Sequence, residues 1–188
     1  MTDLNKKTIL FADLDGTLIT TSSGKTFPED VTDFRLRKPV LDAIIRLMPN
    51  LRHVEIVTNQ GGVPKYYSKE DIRAKLCAIR DFLFLYLNRH TINDPRAISV
   101  SFQVCFSTDK DDPMRKPNTG MLQHLLLYRG ESEESMLMIG DASGIHTDTR
   151  NDFADTDLQC AINFGIDYLD VEDFVSLNIS DNETDTDR

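Results

Sequence analysis

Short apolar segments alternate with amphipathic segments along most of the chain. The first apolar segment, residues 8–12 (TILFA), stops at two aspartates and a glycine, as a buried parallel strand does when it ends at a functional edge. Helical patterns separate four further predicted strands, at residues 53–57, 98–106, 135–139 and 166–169. Strands that alternate with helices predict an α/β fold with a parallel central sheet, in which ligands bind at the carboxyl ends of the strands.

Capping residues and apolar spacing locate the helices between these strands. Pro39 is expected to begin a first helix, and Ser68 and Asp71 form a predicted capping box at the start of a long second helix. Two more helices are predicted over residues 118–128 and 157–163. The helices are expected to cover both faces of the sheet, because a parallel sheet is buried on both sides.

The length of 188 residues predicts one compact domain, which we assign to residues 1–177, followed by an acidic, flexible tail over residues 178–188. The longest apolar run, residues 82–87, is far shorter than the roughly 18 residues that a membrane span needs. We therefore expect a cytoplasmic protein with no membrane contact, and a monomer is compatible with these features. The formal net charge of -10 disfavours a broad nucleic-acid-coating surface but leaves room for a local basic groove.

Polar motifs follow the ends of three predicted strands. They read DLDGT at residues 13–17, TNQ at residues 58–60 and GD at residues 140–141, and Lys116 opens the segment before the fourth strand. Because parallel strands end at one edge of the sheet, carboxylates, a hydroxyl and an ammonium are expected around a single point. Mg²⁺ takes oxygen ligands, usually one or two carboxylates together with phosphate oxygens, so this edge predicts a magnesium site for phosphoryl transfer.

The order D-L-D-G-T, T-N-Q, R-K-P and G-D resembles the haloacid dehalogenase (HAD) superfamily of phosphotransferases over residues 9–174. The resemblance implies a HAD-like Rossmannoid fold, a three-layer α/β/α sandwich. It also implies that Asp13 is the nucleophile that forms an aspartyl-phosphate, and that Asp15 protonates the leaving alkoxide and later activates water. Thr58 would hydrogen-bond the phosphoryl oxygens, and Lys116 would offset the repulsion between the nucleophile and a dianionic phosphate.

The same resemblance implies a Mg²⁺ site formed by the carboxylates of Asp13 and Asp141 and by the backbone carbonyl of Asp15. A second acid follows Asp141 in such sites. The segment DLQCAINFG, residues 157–165, has the expected pattern, so Asp157 is the candidate. The weaker alternatives are Asp148, Asp152 and Asp155.

Cap domains in this superfamily are inserted either just after the first motif or between the second and third motifs. Residues 16–38 have room only for a small flap, and residues 58–116 are filled by one predicted helix, one strand and short connections. We therefore expect no large cap domain and an open site. An open site admits the end of a macromolecule, whereas small substrates are generally closed over to exclude water.

Within the superfamily, four segments resemble the phosphatase domain of the polynucleotide kinase 3'-phosphatase family, namely residues 15–34, 114–121, 140–144 and 152–174. The resemblance implies removal of a 3'-phosphate from DNA ends in strand-break repair, with 3'-phosphorylated nucleic-acid ends as the partner. Tyr66 could stack on a terminal base. The expected substrate-binding residues are Gly16, Thr17, Asn59, Lys65, Arg115 and Arg150.

Two other functions remain open. The nearest is a small-molecule phosphatase resembling the histidinol-phosphate and heptose-bisphosphate enzymes, but residues 100–115 contain only Cys105 where those enzymes have a cysteine-rich zinc loop. A catalytically inactive module that binds nucleic-acid ends is more remote. It would not need to retain the complete set of chemical groups, Asp13, Asp15, Lys116 and Asp141.

Overall fold

The fold is seen in a computed structural model that describes residues 2–26, 28–63, 65, 67–89, 97–126, 131–147, 152 and 154–177. Within these residues the strands are β1 (Ile9–Ala12), β2 (Ile19–Thr20), β3 (Arg35–Leu36), β4 (His53–Asn59), β5 (Ser99–Cys105), β6 (Met136–Gly140) and β7 (Asp167–Asp170). Five of them form a parallel sheet in the order β5-β4-β1-β6-β7. The predicted parallel α/β fold is confirmed.

Helices cover both faces of this sheet. They are α1 (Lys38–Leu47), α2 (Lys69–Leu87), α3 (Gly120–Leu126), α4 (Thr156–Phe164) and α5 (Val171–Ser176). Helices α1, α2 and α5 share one face, and α3 and α4 share the other. Successive side chains of β1 alternate between two cores: Leu10 and Ala12 pack on the α1 side, whereas Ile9 and Phe11 pack on the α3 side. The result is the three-layer α/β/α sandwich.

The long helix α2 begins as its sequence pattern predicts. The Ser68 hydroxyl accepts a hydrogen bond from the backbone N–H of Asp71 at 3.0 Å, and the Asp71 carboxylate accepts one from the backbone N–H of Ser68 at 3.4 Å. Apolar residues at helical spacing, Ile72 and Leu76 among them, are buried against the sheet. Lys75 is also buried in this helix, although lysine side chains are almost never buried without a partner.

The strand register brings the three polar motifs to one edge. Ala12, the last residue of the central strand β1, pairs with Ile56 of β4 on one side and with Ile139 of β6 on the other. Asp13 therefore lies level with Gly140 and with the residue before Thr58. Because the strands are parallel, all three motifs leave the sheet at its carboxyl edge, where ligands bind in this architecture.

A small antiparallel hairpin stands where the sequence predicts a flap. Its strands β2 and β3 pair Ile19 with Leu36 and Thr20 with Arg35. The Arg37 guanidinium fixes its base by donating to the Gly16 carbonyl and by pairing with Glu172 at 2.6 Å. Over the described residues between β4 and Lys116, α2 is the one helix and β5 the one strand. The described chain therefore places no cap domain over the edge.

Several boundaries differ from the sequence-based expectation. Strand β4 runs two residues further, because Thr58 and Asn59 still pair with Val104 and Cys105 of β5. Helix α3 begins at Gly120, because Asn118 is held in a turn by carbonyls of the preceding loop. The β2–β3 hairpin and α5 were not expected. Tyr66, Asp148, Arg150 and the predicted tail lie outside the described residues. In the described chain, none of the helices has the length and apolar character needed to cross a bilayer.

Candidate active site

A buried lysine joins two aspartates at the carboxyl edge of the sheet. The ammonium nitrogen of Lys116 lies 2.5 Å from Oδ1 of Asp13 and 2.7 Å from Oδ1 of Asp157. Lys116 is 3% exposed, Asp13 8% and Asp157 1%, so all three charges are withdrawn from water. Removal of one partner from a buried ion pair leaves a buried charge without compensation, which strongly destabilises the fold. The three side chains therefore form a unit whose members hold one another in place.

Asn59 positions Lys116 from the neighbouring strand. Its side-chain amide donates to the Lys116 carbonyl at 3.0 Å and accepts from the Lys116 backbone N–H at 3.0 Å. Both polar ends of the Asn59 side chain are thus engaged with the Lys116 backbone. The structure gives Asn59 a positioning contact, and its expected contact with substrate stays a prediction.

At two glycines, a neighbouring carboxylate lies so close that no side chain would fit. Gly140 lies so near Asp157 that a Cβ would collide with the Asp157 carboxylate. Gly16 has φ +81°, and a Cβ on it would collide with the Asp141 carboxylate. These contacts let two loops close tightly around the acids. The Asp157 carboxylate also accepts from the backbone N–H of Ala142 at 3.2 Å, which fixes it beside β6.

Three carboxylates converge at this point. One oxygen from each of Asp13, Asp141 and Asp157 lies within 4.8 Å of the others. Burial raises the pKa of Asp13 more than the Lys116 ammonium lowers it, and the charges of Asp157 and Asp141 raise it further. Burial, together with the charge of Asp157, raises the pKa of Asp141 to about 6. Burial alone would lower the pKa of Lys116, but Asp13 and Asp157 outweigh it and hold that pKa above its ordinary value.

The carboxylate cluster fits a divalent cation. Oxygens bound to one Mg²⁺ at about 2.1 Å lie roughly 3 to 4 Å apart, so a small inward movement of these carboxylates would enclose the ion. The cluster brings three carboxylates around the ammonium of Lys116. A hard cation with oxygen ligands would offset the repulsion among these carboxylates.

Two of the competing acids, Asp152 and Asp155, lie outside this cluster. Asp152 uses its carboxylate to accept from the backbone N–H groups of Ser143 and Ile145, at 3.2 and 3.0 Å. Asp155 is the residue that precedes the first turn of α4. Asp157 is the acid that lies with Asp13 and Asp141, and its role as a metal ligand stays a prediction.

Asp15, two residues after Asp13, has a different environment. Its side chain is 51% exposed and faces Lys75, whose ammonium lies 3.7 Å from Oδ1. The Gln60 side-chain amide donates to Oδ2 of Asp15 at 2.6 Å and to the Thr58 hydroxyl at 2.9 Å. Lys75 itself is buried, and its ammonium lies 5.4 Å from the centre of the Phe34 ring.

Gln60 and Lys75 were missed as site residues. Gln60 stands in the TNQ motif but carries no catalytic chemistry of its own, so the motif alone assigns it no role. Lys75 lies beside the apolar face of α2, three residues after Ile72. A lysine at such a position is unusual, and this was the feature of the sequence that indicated a buried lysine with a partner.

The remaining predicted substrate-binding residues are scattered around the edge. Thr58 is buried and accepts from Gln60, and the buried Thr17 hydroxyl has no hydrogen-bond partner among the described residues. Lys65 is exposed on the loop after β4. Arg115 is half-buried and donates to the Ser107 carbonyl at 2.7 Å. The structure thus brings the Thr17 and Thr58 hydroxyls to the edge of the sheet.

Sequence comparison assigns the chain to a family. The chain belongs to the polynucleotide kinase 3 phosphatase family, whose pattern matches residues 8–175. It is 32% identical over 173 residues to the bifunctional polynucleotide phosphatase/kinase of Schizosaccharomyces pombe, covering 90% of this chain and 37% of that protein. It is 30% identical over 170 residues to an uncharacterised 20.8 kDa protein of Autographa californica nuclear polyhedrosis virus, covering 89% of this chain and 85% of the viral one.

Solved structures support the same fold. A HAD-like phosphatase from Mesorhizobium loti has a TM-score of 0.56 at 24% identity, covering 85% of this chain and 69% of its own. The D,D-heptose 1,7-bisphosphate phosphatase of B. bronchiseptica, crystallised with magnesium and phosphate, has a TM-score of 0.59 at 21% identity, covering 86% and 78%. The sequence thus assigns the chain to the polynucleotide kinase 3 phosphatase family, and these structures show that its fold is that of HAD-like phosphatases.

Proposed function

We propose that this phosphatase hydrolyses phosphomonoesters with Mg²⁺ through an aspartyl-phosphate on Asp13, and that its substrate is the 3'-phosphate of a polynucleotide, in particular DNA. The observation that carries the chemical part is the buried contact of Asp13 with Lys116 beside Asp141 and Asp157. The family assignment and the open edge of the sheet support the substrate.

Asp13 is the proposed nucleophile. Lys116 holds one oxygen of its carboxylate, and the second oxygen attacks phosphorus while the ester P–O bond breaks. The Lys116 charge offsets the repulsion between a carboxylate and a dianionic phosphate. Thr58 and Thr17, whose buried hydroxyls stand at this edge, are proposed to bind the phosphoryl oxygens.

Asp15 is the proposed acid and base. Its carboxyl gives a proton to the alkoxide that leaves in the first step. In the second step it takes a proton from the water that attacks the aspartyl-phosphate, which releases inorganic phosphate and restores Asp13. Its exposed position, with Gln60 and Lys75 as partners, supports this role, because the acid and base must be reachable by both the leaving group and water.

The proposed Mg²⁺ ligands are the carboxylates of Asp13, Asp141 and Asp157 and the backbone carbonyl of Asp15. When bound, the cation would neutralise charge on the phosphate and its attacking carboxylate. The bacterial heptose-bisphosphate phosphatase with the same fold was crystallised with magnesium and phosphate, which supports this choice.

The proposed substrate follows from access and family. With no cap over the edge in the described chain, a nucleic-acid strand can bring its terminal phosphate to Asp13. Gly16, Lys65, Arg115 and Arg150 are the further candidates for contacts to that end. The fission yeast relative is a polynucleotide phosphatase/kinase, of which the present chain spans 37%.

A phosphate-release assay tests the proposal. The purified chain is incubated with Mg²⁺ and a 3'-phosphorylated DNA oligonucleotide, beside its RNA counterpart, a 5'-phosphorylated oligonucleotide, a mononucleotide, histidinol phosphate and heptose bisphosphate. We expect the highest kcat/KM on the 3'-phosphorylated DNA and no turnover after chelation of the metal. Equal or faster release from the small esters would reject the polynucleotide substrate, and full turnover in a chelator would reject the metal.

A further inference from the structure

Two cations of α2 lie on an aromatic ring beside the active site. The Lys69 ammonium is 5.5 Å, and the Arg73 guanidinium carbon 5.4 Å, from the centre of the Phe106 ring. Both cations are exposed. Such contacts hold a long charged side chain in one region of the surface while its head remains in water. We call these two residues the Lys69–Arg73 pair.

The Lys69–Arg73 pair is unusual in a chain with a net charge of -10. Three other cations near this edge pair with carboxylates: Lys75 faces Asp15, Arg37 pairs with Glu172, and Lys116 pairs with two aspartates. Neither member of the Lys69–Arg73 pair forms a salt bridge with a carboxylate of the described chain. Two positive charges of an acidic chain therefore face solvent beside the active site.

The Lys69–Arg73 pair lies against Phe106 at the end of β5, which is next to β4 and two strands from β1, the strand that Asp13 follows. Phe106 directly follows Cys105, the last residue of β5, and the Cys105 carbonyl accepts from the Gln60 backbone N–H at 2.7 Å. The Gln60 side chain in turn donates to Asp15. Neighbouring β-strands are about 4.8 Å apart. Phosphates along one stacked nucleic-acid strand are spaced by about 3.4 Å per nucleotide. A nucleic-acid strand that ends at Asp13 and runs toward β5 would thus pass the Lys69–Arg73 pair within its first few nucleotides.

We propose that the Lys69–Arg73 pair binds backbone phosphates of the single strand that leads into the active site. The inference rests on the proposed function, because it needs a polynucleotide whose end enters the site. The guanidinium can hold a phosphate with two parallel hydrogen bonds, and the ammonium acts as a point charge. Contacts to phosphate carry no sequence information, so the pair favours longer strands of any sequence.

Charge reversal tests the proposal. The double variant Lys69→Glu, Arg73→Glu is compared with the wild type and with Arg80→Glu, which changes a partly exposed cation of the same helix that already pairs with Asp81. A Lys69→Gln, Arg73→Gln variant provides a milder change should the reversal disturb folding. KM and kcat are measured on a 3'-phosphorylated single-stranded oligonucleotide, on a 3'-phosphorylated dinucleotide, and on 4-nitrophenyl phosphate, over a series of salt concentrations.

The pair should affect only the long substrate. We expect the reversed variant to raise KM for the oligonucleotide about tenfold at low salt with kcat unchanged, and to leave the two short substrates as in the wild type. The salt dependence of log kcat/KM should become shallower by about 1.4, which is two single-strand phosphate contacts at about 0.7 each. Arg80→Glu should match the wild type throughout.

The two proposals fail in different ways. If the wild type hydrolyses 4-nitrophenyl phosphate but none of the 3'-phosphorylated oligonucleotides, the proposed function is wrong and the strand contact falls with it. If the wild type hydrolyses the oligonucleotide and the charge-reversed variant keeps the same KM and salt dependence, only the strand contact is wrong. An equal rise in KM for the dinucleotide would also reject it, because the effect would then arise in the catalytic site.

Discussion

Asp13 and Asp15 are separated by one residue, yet the structure treats them oppositely. Asp13 is 8% exposed and lies against the buried ammonium of Lys116. Asp15 has a side chain that is 51% exposed, and it is held by Gln60 and by Lys75 at 3.7 Å. Two identical carboxyl groups can take different chemical roles when burial and partners differ. The inner group is held between one ammonium and two further carboxylates, whereas the outer one reaches solvent.

The backbone explains the separation. Asp13 continues the sheet, because its N–H donates to the Ile139 carbonyl at 3.1 Å. Leu14, between the two acids, is buried in the core and anchors the turn. Beyond it, the Gly16 N–H donates to the Ile19 carbonyl, so Asp15 stands on a turn above the edge of the sheet. A strand end thus holds the inner carboxylate, and a glycine turn presents the outer one.

The largest expected effect is that of Asp13→Asn. An amide cannot attack phosphorus, so kcat on a 3'-phosphorylated oligonucleotide should fall by at least about 10⁴-fold, as when other enzymes lose their nucleophile. The substitution keeps the shape of the side chain, and Lys116 retains Asp157 at 2.7 Å. The variant should therefore fold, which a cooperative thermal unfolding transition would show. Turnover within tenfold of the wild type would mean that another group is the nucleophile.

Asp15→Asn should give a smaller loss that depends on the leaving group. Without its general acid, the enzyme should lose about 10² to 10⁴-fold in turnover of the oligonucleotide. The leaving group of 4-nitrophenyl phosphate needs no proton, so its first step should persist while hydrolysis of the aspartyl-phosphate slows. Stopped-flow measurement should then show a burst of 4-nitrophenolate equal to the enzyme concentration. A slow release without a burst would show that Asp15 does not act separately from Asp13.

Most of the fold could be predicted because its signals are local. Alternating strands and helices indicate a parallel sheet, and Ser68 with Asp71 marks the first turn of α2 where the structure has it. The β2–β3 hairpin was missed because strands of two residues show no periodicity, and their pairing joins Ile19 to Leu36 across the flap. The six-residue helix α5 is too short for a helical pattern.

The site was less accessible to sequence reasoning. Spacing alone could not choose among four acids after Asp141, and the choice depends on Asp157 lying in the first turn of α4, against β6. Lys75 would ordinarily be a solvated helix residue. Its burial results from tertiary packing, with Phe34 of the flap on one side and Asp15 on the other.

Gln60→Leu probes the outer carboxylate more gently. The variant removes the donor to Asp15 and Thr58 while keeping a side chain of similar size. A hydrogen bond to a charged group contributes about 1.5 kcal/mol, so kcat on the oligonucleotide should fall about tenfold, with stability changed by about 0.5 kcal/mol or less. Gln123→Leu on α3, where the amide contacts only Thr119 among described residues, is the matched control and should leave kcat unchanged. An unchanged kcat in Gln60→Leu would assign the positioning of Asp15 to Lys75 instead.

The smallest expected effect concerns the stability of the inner cluster. The pKa of Asp141 is raised to about 6 in the folded protein, from an ordinary value of 3.8. The folded state therefore binds more protons than the unfolded state between these values, and the metal-free protein should lose stability as pH rises from about 4 to about 6. The proposed Mg²⁺ would bind the ionised carboxylates, so the stabilisation from added Mg²⁺ should grow over the same range and persist at neutral pH.

Thermal unfolding with Mg²⁺ and with a chelator measures this effect at several pH values. The rise in Tm on adding Mg²⁺ should be larger at neutral pH than near about pH 5 by about 2–4 °C, which corresponds to about 1 kcal/mol for a chain of this size. Asp141→Asn removes the titrating group, so its metal-free stability should vary less with pH and its Tm should respond less to Mg²⁺. Contributions that are common to both proteins cancel in the comparison. If Mg²⁺ raises the Tm of both proteins equally, the ion binds away from Asp141. The contrast between a metal-dependent inner carboxylate and the solvent-facing carboxylate of Asp15 would then have no basis.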